Sequence, residues 1–219
     1  MKKLSKTNVK NMKKGVVAVA LVASLGLAGL SAYFTDTQTK TNTFTVGSVK
    51  QELTEPSWKP EEKPGENMTP GKTVAKDPTV KNIGNNDQYV FMKVEVPAAE
   101  VTTFDENGNK VAQENQELFT YNINEGWTEL VPEKKVTNTS VTHVYYYGTS
   151  ESLTKLEKTK KATLFNSVTF KNIVEDTEDD PALKGDKKIV INSYGIQSDN
   201  LGTATTPEQV WTLVQNQAK

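Results

Sequence analysis

The chain has 219 residues, of which 26 are basic and 27 acidic, so its formal net charge is −1. Every basic residue apart from one histidine is lysine, and the absence of arginine, the usual residue for bidentate phosphate and base recognition, argues against nucleic-acid binding. Cysteine is absent, which excludes a disulfide framework and a lipid anchor attached through cysteine.

The first part of the chain has the pattern of a secretory signal. Residues 1–32 contain six lysines and no acidic residue, and residues 15–30 form an apolar run. A membrane span needs about 20 apolar residues, whereas a secretory signal has a shorter apolar region followed by small residues. We predict a signal peptide over residues 1–32, cut between Ala32 and Tyr33, with an uncleaved signal anchor as the alternative. The product is expected to be secreted and to touch the membrane only through this signal before cleavage.

Threonine occupies alternate positions directly behind the predicted cut. Because side chains alternate between the two faces of a strand, these threonines would line one face, although neither face is apolar. One interpretation of residues 33–43 is a strand that is donated to another molecule, and the other is a flexible arm. The residues assigned to the donor strand are Phe34, Thr35, Thr37, Thr39, Thr41, Thr43 and Phe44.

Short β-prone runs separated by turn residues follow. Residues 44–53 and 72–82 are predicted strands, and the proline-rich residues 54–71 between them are predicted to form a loop, because proline lacks the donor that a ladder requires. Trp58 is expected to fold back from this loop onto the body. Residues 88–97 give the clearest strand, and its inward face is predicted to consist of Val90, Met92, Val94 and Val96.

The later elements complete an all-β pattern. Several further β-rich runs follow, and residues 151–161 are predicted to contain a helical turn. The one well-marked helix begins near Thr206 as N-cap, with Pro207 in its first turn and Gln209 closing a capping box. The pattern predicts a single domain over residues 33–219, an antiparallel β-sandwich of jelly-roll type with a short C-terminal helix.

The chain has one histidine, His143, within a predicted strand. Acyl transfer needs an Asp and a Ser beside the histidine, and a zinc site needs further nitrogen or sulfur ligands. No zinc-protease motif and no cysteine supplies them. We therefore predict a structural role for His143, no catalytic residue, no cofactor and no metal site.

Two stretches rich in oxygen ligands are candidates for cation sites. Asp105, Asn107 and Asn109 alternate around Gly108 and are followed by Glu114, as in part of a calcium loop, but their position between strands favours a hairpin turn. Residues 175–180 contain five acids and are predicted to be a solvated loop, with weak divalent-cation binding as the alternative.

Three consecutive tyrosines follow His143. Strand alternation places Tyr145 and Tyr147 on one face and Tyr146 on the other. Packing in the core and at an edge is the default interpretation. As a surface pair, Tyr145 and Tyr147 would stack on a sugar or on a neighbouring subunit.

Several motifs resemble the TasA/camelysin family of secreted proteins of Gram-positive bacteria. The junction contains Ala32, Tyr33, Phe34 and Asp36, and a Phe-Thr-x-Gly motif follows at residues 44–47. Pro70-Gly71 and Asn82-x-Gly84 precede the clearest strand, and the likeness is strongest over residues 30–97 and 189–215.

The resemblance implies a jelly-roll domain that assembles into extracellular fibres of the biofilm matrix or the cell surface. Its precursor would be cut by a dedicated signal peptidase, SipW, and the freed N-terminal segment would add as a strand to the next copy of the chain. Camelysin itself is described as a metalloprotease, but this sequence offers no ligand set for that activity, so we predict a protein that is not an enzyme. A monomeric module that binds glycans or a host protein remains the alternative.

Overall fold

The computed structural model describes residues 48–105, 107–150, 152–174 and 185–217. All of them belong to one compact unit, which spans Thr43–Lys219. The predicted signal peptide, the cut between Ala32 and Tyr33, the donor-strand residues 34–44 and the acidic residues 175–180 lie outside the described residues. No helix in the described ranges is long and apolar enough to cross a membrane.

Within these ranges the chain forms thirteen short strands and one α-helix. The strands are β1 (Gln51–Thr54), β2 (Thr73–Ala75), β3 (Thr79–Asn82), β4 (Gln88–Val101), β5 (Glu114–Glu117), β6 (Phe119–Thr120), β7 (Trp127–Glu129), β8 (Lys135–Val136), β9 (Ser140–Thr149), β10 (Ser152–Leu153), β11 (Lys161–Thr163), β12 (Ser167–Phe170) and β13 (Val190–Gln197). The helix is α1 (Pro207–Gln217). Two short 3-10 turns lie at Pro60–Glu62 and Val131–Glu133.

A central sheet is built around the long strand β4. Its strand order is β10-β9-β4-β13, with β5 added to the second half of β4, and with β7 and β8 added to β9. All of these pairings are antiparallel, and the register places Met92 of β4 opposite Tyr145 of β9 and Ser193 of β13. Two smaller antiparallel sheets have the orders β1-β3-β11 and β2-β12-β6.

The core lies between the central sheet and the two smaller sheets. The alternate residues of β4 that were predicted to face inward are all fully buried, because they pack against apolar side chains of β3, β6, β11 and β12. The residues that form this contact are Val90, Met92, Val94, Val96, Val80, Phe119, Ala162 and Val168. The predicted antiparallel β-sandwich with a short C-terminal helix is thus confirmed.

Helix α1 covers the other face of the central sheet. Val210, Trp211 and Val214 are buried against Phe91, Tyr146 and Ile196, so this face holds a second apolar cluster. The predicted capping box is present: the backbone N–H of Gln209 donates to Thr206 Oγ1 at 3.4 Å, and the N–H of Thr206 donates to Gln209 Oε1 at 3.3 Å. The helix start predicted from Thr206 and Pro207 is therefore confirmed.

Some of the predicted elements differ from the structure in type or in length. The helical turn predicted within residues 151–161 is wrong, because Ser152–Leu153 form β10 and pair with the end of β9 instead. Of the strand predicted over residues 44–53, residues 44–47 lie outside the described ranges, residues 48–50 are not in a strand, and β1 begins at Gln51. In the loop that follows, Trp58 does fold back, since the Lys76 ammonium lies 5.1 Å from the centre of its ring.

The Asn82-x-Gly84 motif holds the chain that leads into β1. Buried Asn82 donates its side-chain N–H groups to the carbonyls of Asn86 and Leu156 and accepts the N–H of Gly84 at 2.9 Å. The amides of Ile83 and Asn85 in turn donate to the carbonyls of Lys50 and Ser48. A Cβ atom on Gly84 would lie 2.3 Å from the Ser48 carbonyl oxygen, so only glycine permits this close approach.

Substitution of Gly84 by alanine is expected to release the segment 48–50. The methyl group would collide with backbone, which cannot rotate away, and we expect a loss of about 1–3 kcal/mol in the free energy of unfolding. Hydrogen exchange should show the amides of Ile83 and Asn85 unprotected in G84A. The control is G71A, where the added Cβ has nothing within 4 Å and only the positive φ of 77° is strained. Retained protection in G84A would contradict this account.

Candidate functional site

A groove is lined by one face of the sheet β2-β12-β6 and by the segment that leads into β13. Among the described residues, β2 ends this sheet and β13 ends the central sheet, so each of the two strands has one side without a strand partner. The groove has a volume of about 260 Å³ and an apolar lining of Trp58, Met68, Val74, Phe119, Val168 and Ile189. Lysine side chains stand at its rim. We call this concavity the edge groove.

The proline-rich loop before β2 forms one wall of the edge groove. Trp58 and Met68 belong to this loop, and Trp58 lies under the Lys76 ammonium. Lys76 is mostly buried and forms an ion pair of 2.7 Å with Glu55, while the backbone N–H of Ser57 donates to Asp77 Oδ1 at 2.7 Å. Charged and polar contacts therefore fix the loop, and the groove wall is part of the folded body.

The opposite wall and the floor come from β2, β6, β12 and the residue before β13. The single strand predicted over residues 72–82 is divided around Pro78 into β2 and β3, which belong to different sheets. Val74 of β2 is paired with buried Val168 of β12, and Phe119 of β6 lies 5.4 Å from Phe170 between ring centroids. Ile189 directly precedes β13, whose first residue, Val190, is 45% exposed. An apolar concavity beside an unpaired strand edge can accept an extended segment, because backbone groups pair along the edge while side chains enter the concavity.

Apart from the edge groove, a cluster of polar side chains surrounds His143 inside the sandwich. His143 is 6% exposed, its Nδ1 lies 2.6 Å from Glu129 Oε1, and its Nε2 lies 2.9 Å from Glu117 Oε1. The ring stacks on Tyr145 with centroids 5.9 Å apart, and Tyr121 approaches edge-on at 6.4 Å. The hydroxyl groups of these two tyrosines lie 3.0 Å apart, within hydrogen-bond distance.

The pKa values in this cluster are shifted by burial and by charge. Burial acts to lower the pKa of His143, but its hydrogen bonds to Glu117 and Glu129 and their negative charges outweigh burial and raise that pKa above its ordinary value. Burial acts to raise the pKa of Glu117, yet the hydrogen bond and charge of His143, with Lys134 and Lys171, bring it below its ordinary value. Burial raises the pKa of both Tyr121 and Tyr145.

The sequence did not identify the partners of His143. Its predicted structural role agrees with the buried position, but Glu117 and Glu129 were not assigned to it. The one available signal was the alternation of side chains along a strand. Because β7 pairs with β9 and Glu129 stands opposite Tyr145, Glu129 lies on the same inner face as Tyr145 and His143. The sequence alone does not give this register.

The three consecutive tyrosines contribute to both apolar clusters, the one inside the sandwich and the one under α1. Tyr145 is 4% exposed and packs inside the sandwich, Tyr146 is 3% exposed and packs under α1, and Tyr147 is half-buried against Trp127. The assignment of Tyr145 and Tyr147 to one face is confirmed. Their proposed surface contact needs correction, because Tyr145 is covered by the packed sheets and offers no surface to a sugar or a neighbouring subunit.

The turn around Asn107-Gly108 is a hairpin. Phe104 and Lys110 form a bridge across it, and Asp105 accepts backbone hydrogen bonds from Asn109 at 2.8 Å and Asn107 at 2.9 Å. The bonds from the backbone and the side chain of Asn109 lower the pKa of Asp105. Since the Asp105 carboxylate is engaged by the turn, and Glu114 lies in β5, the hairpin interpretation is confirmed over the calcium loop.

Comparison with known proteins gives one match. The family model described as camelysin metallo-endopeptidase matches residues 7–198 of the chain. No curated protein and no solved structure matches it.

The described side chains do not fit the metal that this description implies. Zinc sites of peptidases use three protein ligands and leave one position open. The chain has one histidine and no cysteine, and each nitrogen of His143 already faces its own carboxylate on opposite sides of the ring. Over the described ranges, no group of three or more His, Cys, Asp or Glu side chains is arranged to hold a metal ion.

Proposed function

The chain belongs to the TasA/camelysin family, and from this premise we propose that it is a secreted structural protein that assembles into extracellular fibres of the biofilm matrix or cell surface. Export would end with a cut between Ala32 and Tyr33 by a SipW-type signal peptidase. The freed segment 33–43 would then add as a strand to a neighbouring copy. Such a head-to-tail contact uses two different surfaces and does not close, so it propagates into a filament.

The edge groove is the observation that supports this proposal. Its apolar lining suits a large apolar side chain, and Phe34 and Phe44 flank the threonine-rich segment. Lys188, whose side chain is 76% exposed, lines the groove, while Asp36 stands two positions from Phe34 and so shares its face in a strand. An aromatic anchor with a neighbouring carboxylate thus suits an apolar groove with an exposed lysine beside it.

The dimensions of the segment also suit strand addition. Eleven residues in extended conformation span about 36 Å, which exceeds the length of either edge strand beside the groove. Its threonines have high β-propensity and keep the segment soluble before it finds a partner. A polar strand that becomes ordered only on a neighbouring copy would gain backbone hydrogen bonds from the edge and specificity from its two aromatic flanks.

We further propose that the protein is not a peptidase, despite the description of its family. The donor set around His143 supports this view, because the ring would have to lose a carboxylate partner before it could coordinate a metal. The alternative of a glycan- or protein-binding module uses the tyrosine run and the proline-rich loop, and burial of Tyr145 disfavours the tyrosine part of that surface.

Electron microscopy of two forms of the chain tests the fibre proposal. The form that begins at Tyr33 is expected to make fibres, whereas the form that begins at Phe44 is expected to remain monomeric because it lacks the donated strand. Circular dichroism should show the same β-rich spectrum for both forms, since the core lies downstream of residue 48. Equal fibre formation by the two forms would contradict strand donation, and absence of fibres from both would contradict the structural role.

A further inference from the structure

His143 lies where three segments of the sandwich meet. It stands on β9 in the middle of the central sheet and is paired with Val94 of β4. Glu117 ends β5, which pairs with β4, and the chain then crosses directly to β6, which pairs with β12 of a smaller sheet. Glu129 ends β7, which is the neighbour of β9. The His143 side chain therefore connects β9 to the β5–β6 crossing between two sheets, and it also connects β9 to β7.

The geometry is that of a doubly protonated ring between two carboxylates. A neutral imidazole has one N–H donor and one nitrogen acceptor, and an ionised carboxylate can only accept. With carboxylate oxygens at 2.6 Å from Nδ1 and 2.9 Å from Nε2, a neutral ring would turn a lone pair toward one of the two carboxylates. Two donated hydrogen bonds of these lengths are instead those of an imidazolium between two carboxylates.

In the described part of the chain, His143 is the cation that bonds both carboxylates. The groups that face His143 are Glu117 from β5, Glu129 from β7, Tyr121 from the segment after β6, and Tyr145 from β9. Lys134 and Lys171 act on Glu117, and the Lys171 ammonium itself donates to Gln116 Oε1 at 2.9 Å. Loss of the proton from His143 would thus leave two half-buried carboxylates without the charge that joins them.

We propose that Glu117, His143 and Glu129 form a proton-controlled clasp, which ties the β5–β6 crossing and β7 to β9 while the ring is charged and loosens when the ring loses its proton. The clasp belongs to the single folded chain, and it holds whether or not the chain assembles into fibres.

The sign of the pH dependence follows from the two pKa directions. His143 has a raised pKa in the fold, so its contribution is fully present below its ordinary value of 6.5 and is lost as the pH rises through the raised pKa. Glu117 has a lowered pKa, so its contribution is present above its ordinary value of 4.5 and is lost as the pH falls through the lowered pKa. The clasp is closed between these two limits and opens on the alkaline side.

The single histidine makes the proposal directly measurable by NMR in the full chain. Imidazole ¹⁵N and ¹³C shifts over a pH series should report protons on both nitrogens at pH 7 and a titration midpoint above 6.5. Glu129→Gln, which replaces a carboxylate by a neutral amide, should move this midpoint down by about one pH unit. Glu95→Gln is the matched control, because Glu95 lies on the outer face of β4, and it should leave the midpoint unchanged.

A second readout follows opening of the clasp itself. The denaturation midpoint of the wild-type chain should fall as the pH rises through the His143 titration, and the midpoint of Glu129→Gln should begin to fall at a correspondingly lower pH. Protection factors of the β7 amides, which correct for the pH dependence of the intrinsic exchange rate, should fall over the same interval. A histidine that is neutral at pH 6.5, or a Glu129→Gln variant that titrates like the wild type, would overturn the clasp.

Discussion

Replacement of Trp211 by alanine is expected to lower the free energy of unfolding by about 3–5 kcal/mol, the usual cost of removing a large buried aromatic side chain. Trp211 is 4% exposed, and its ring lies 5.2 Å from Phe91 and 5.3 Å from Tyr194 between centroids. It is the largest side chain by which α1 contacts the central sheet. Guanidinium denaturation followed by circular dichroism measures the loss.

Two further substitutions identify the source of that loss. The indole Nε1 of Trp211 is buried, and within the described ranges it has no hydrogen-bond partner. Trp211→Phe keeps most of the ring and removes this donor, so it should cost much less than the alanine substitution. Thr212→Ala, on the exposed side of the same helix, should change stability by about 0.5 kcal/mol at most. Because the indole N–H has no partner, a phenylalanine variant as unstable as the alanine variant would show that the effect comes from packing of the complete indole, which a phenyl ring does not reproduce.

The elements that could be predicted from the sequence are those whose signal is local. Strand β4 has valine or methionine at every second position from Val90 to Val96, and the start of α1 carries its own capping residues. Both signals arise within about a dozen neighbouring residues, so no knowledge of distant pairing was needed. The hairpin at Asn107-Gly108 is local in the same sense, because the turn residues themselves supply the hydrogen bonds.

The contacts of the His143 cluster could not be predicted, because they depend on register between distant segments. Glu117 and Glu129 precede His143 by 26 and 14 residues, and nothing in either stretch marks them as different from exposed glutamates. A shift of one residue in the pairing of β7 with β9 would turn Glu129 to the other face. The sequence therefore correctly suggested a structural histidine but gave no access to the two carboxylates that hold it.

Tyr145 shows a second limit of prediction from strand alternation. Alternation correctly assigned Tyr145 and Tyr147 to one face, but alternation does not state which face is covered by another sheet. Here the Tyr145 side is covered by the smaller sheets and the Tyr146 side by α1, so both faces are apolar over this stretch. The edge groove escaped prediction for a related reason, since its lining comes from four separate segments of the chain.

Val74→Glu is expected to abolish fibre formation if the edge groove receives the segment 33–43 of a neighbouring copy. Val74 is half-buried in β2, and its side chain lines the groove. A carboxylate placed there would be buried without a partner when the segment docks, at a cost of about 3 kcal/mol, which corresponds to roughly a hundredfold loss of affinity. Electron microscopy and sedimentation of the chain from Tyr33 onward measure the outcome.

The adjacent residue of the same strand supplies the control. Ala75 is exposed, and strand alternation turns its side chain away from Val74. Ala75→Glu adds the same charge to the same edge strand but leaves the groove open, so its fibres should match those of the wild type. Val74→Trp fills the groove without adding charge and should block assembly as Val74→Glu does. The melting temperature of each monomer shows whether the fold is retained. Equal loss of fibres in Val74→Glu and Ala75→Glu would indicate charge repulsion along the edge and would remove the groove from the assembly contact.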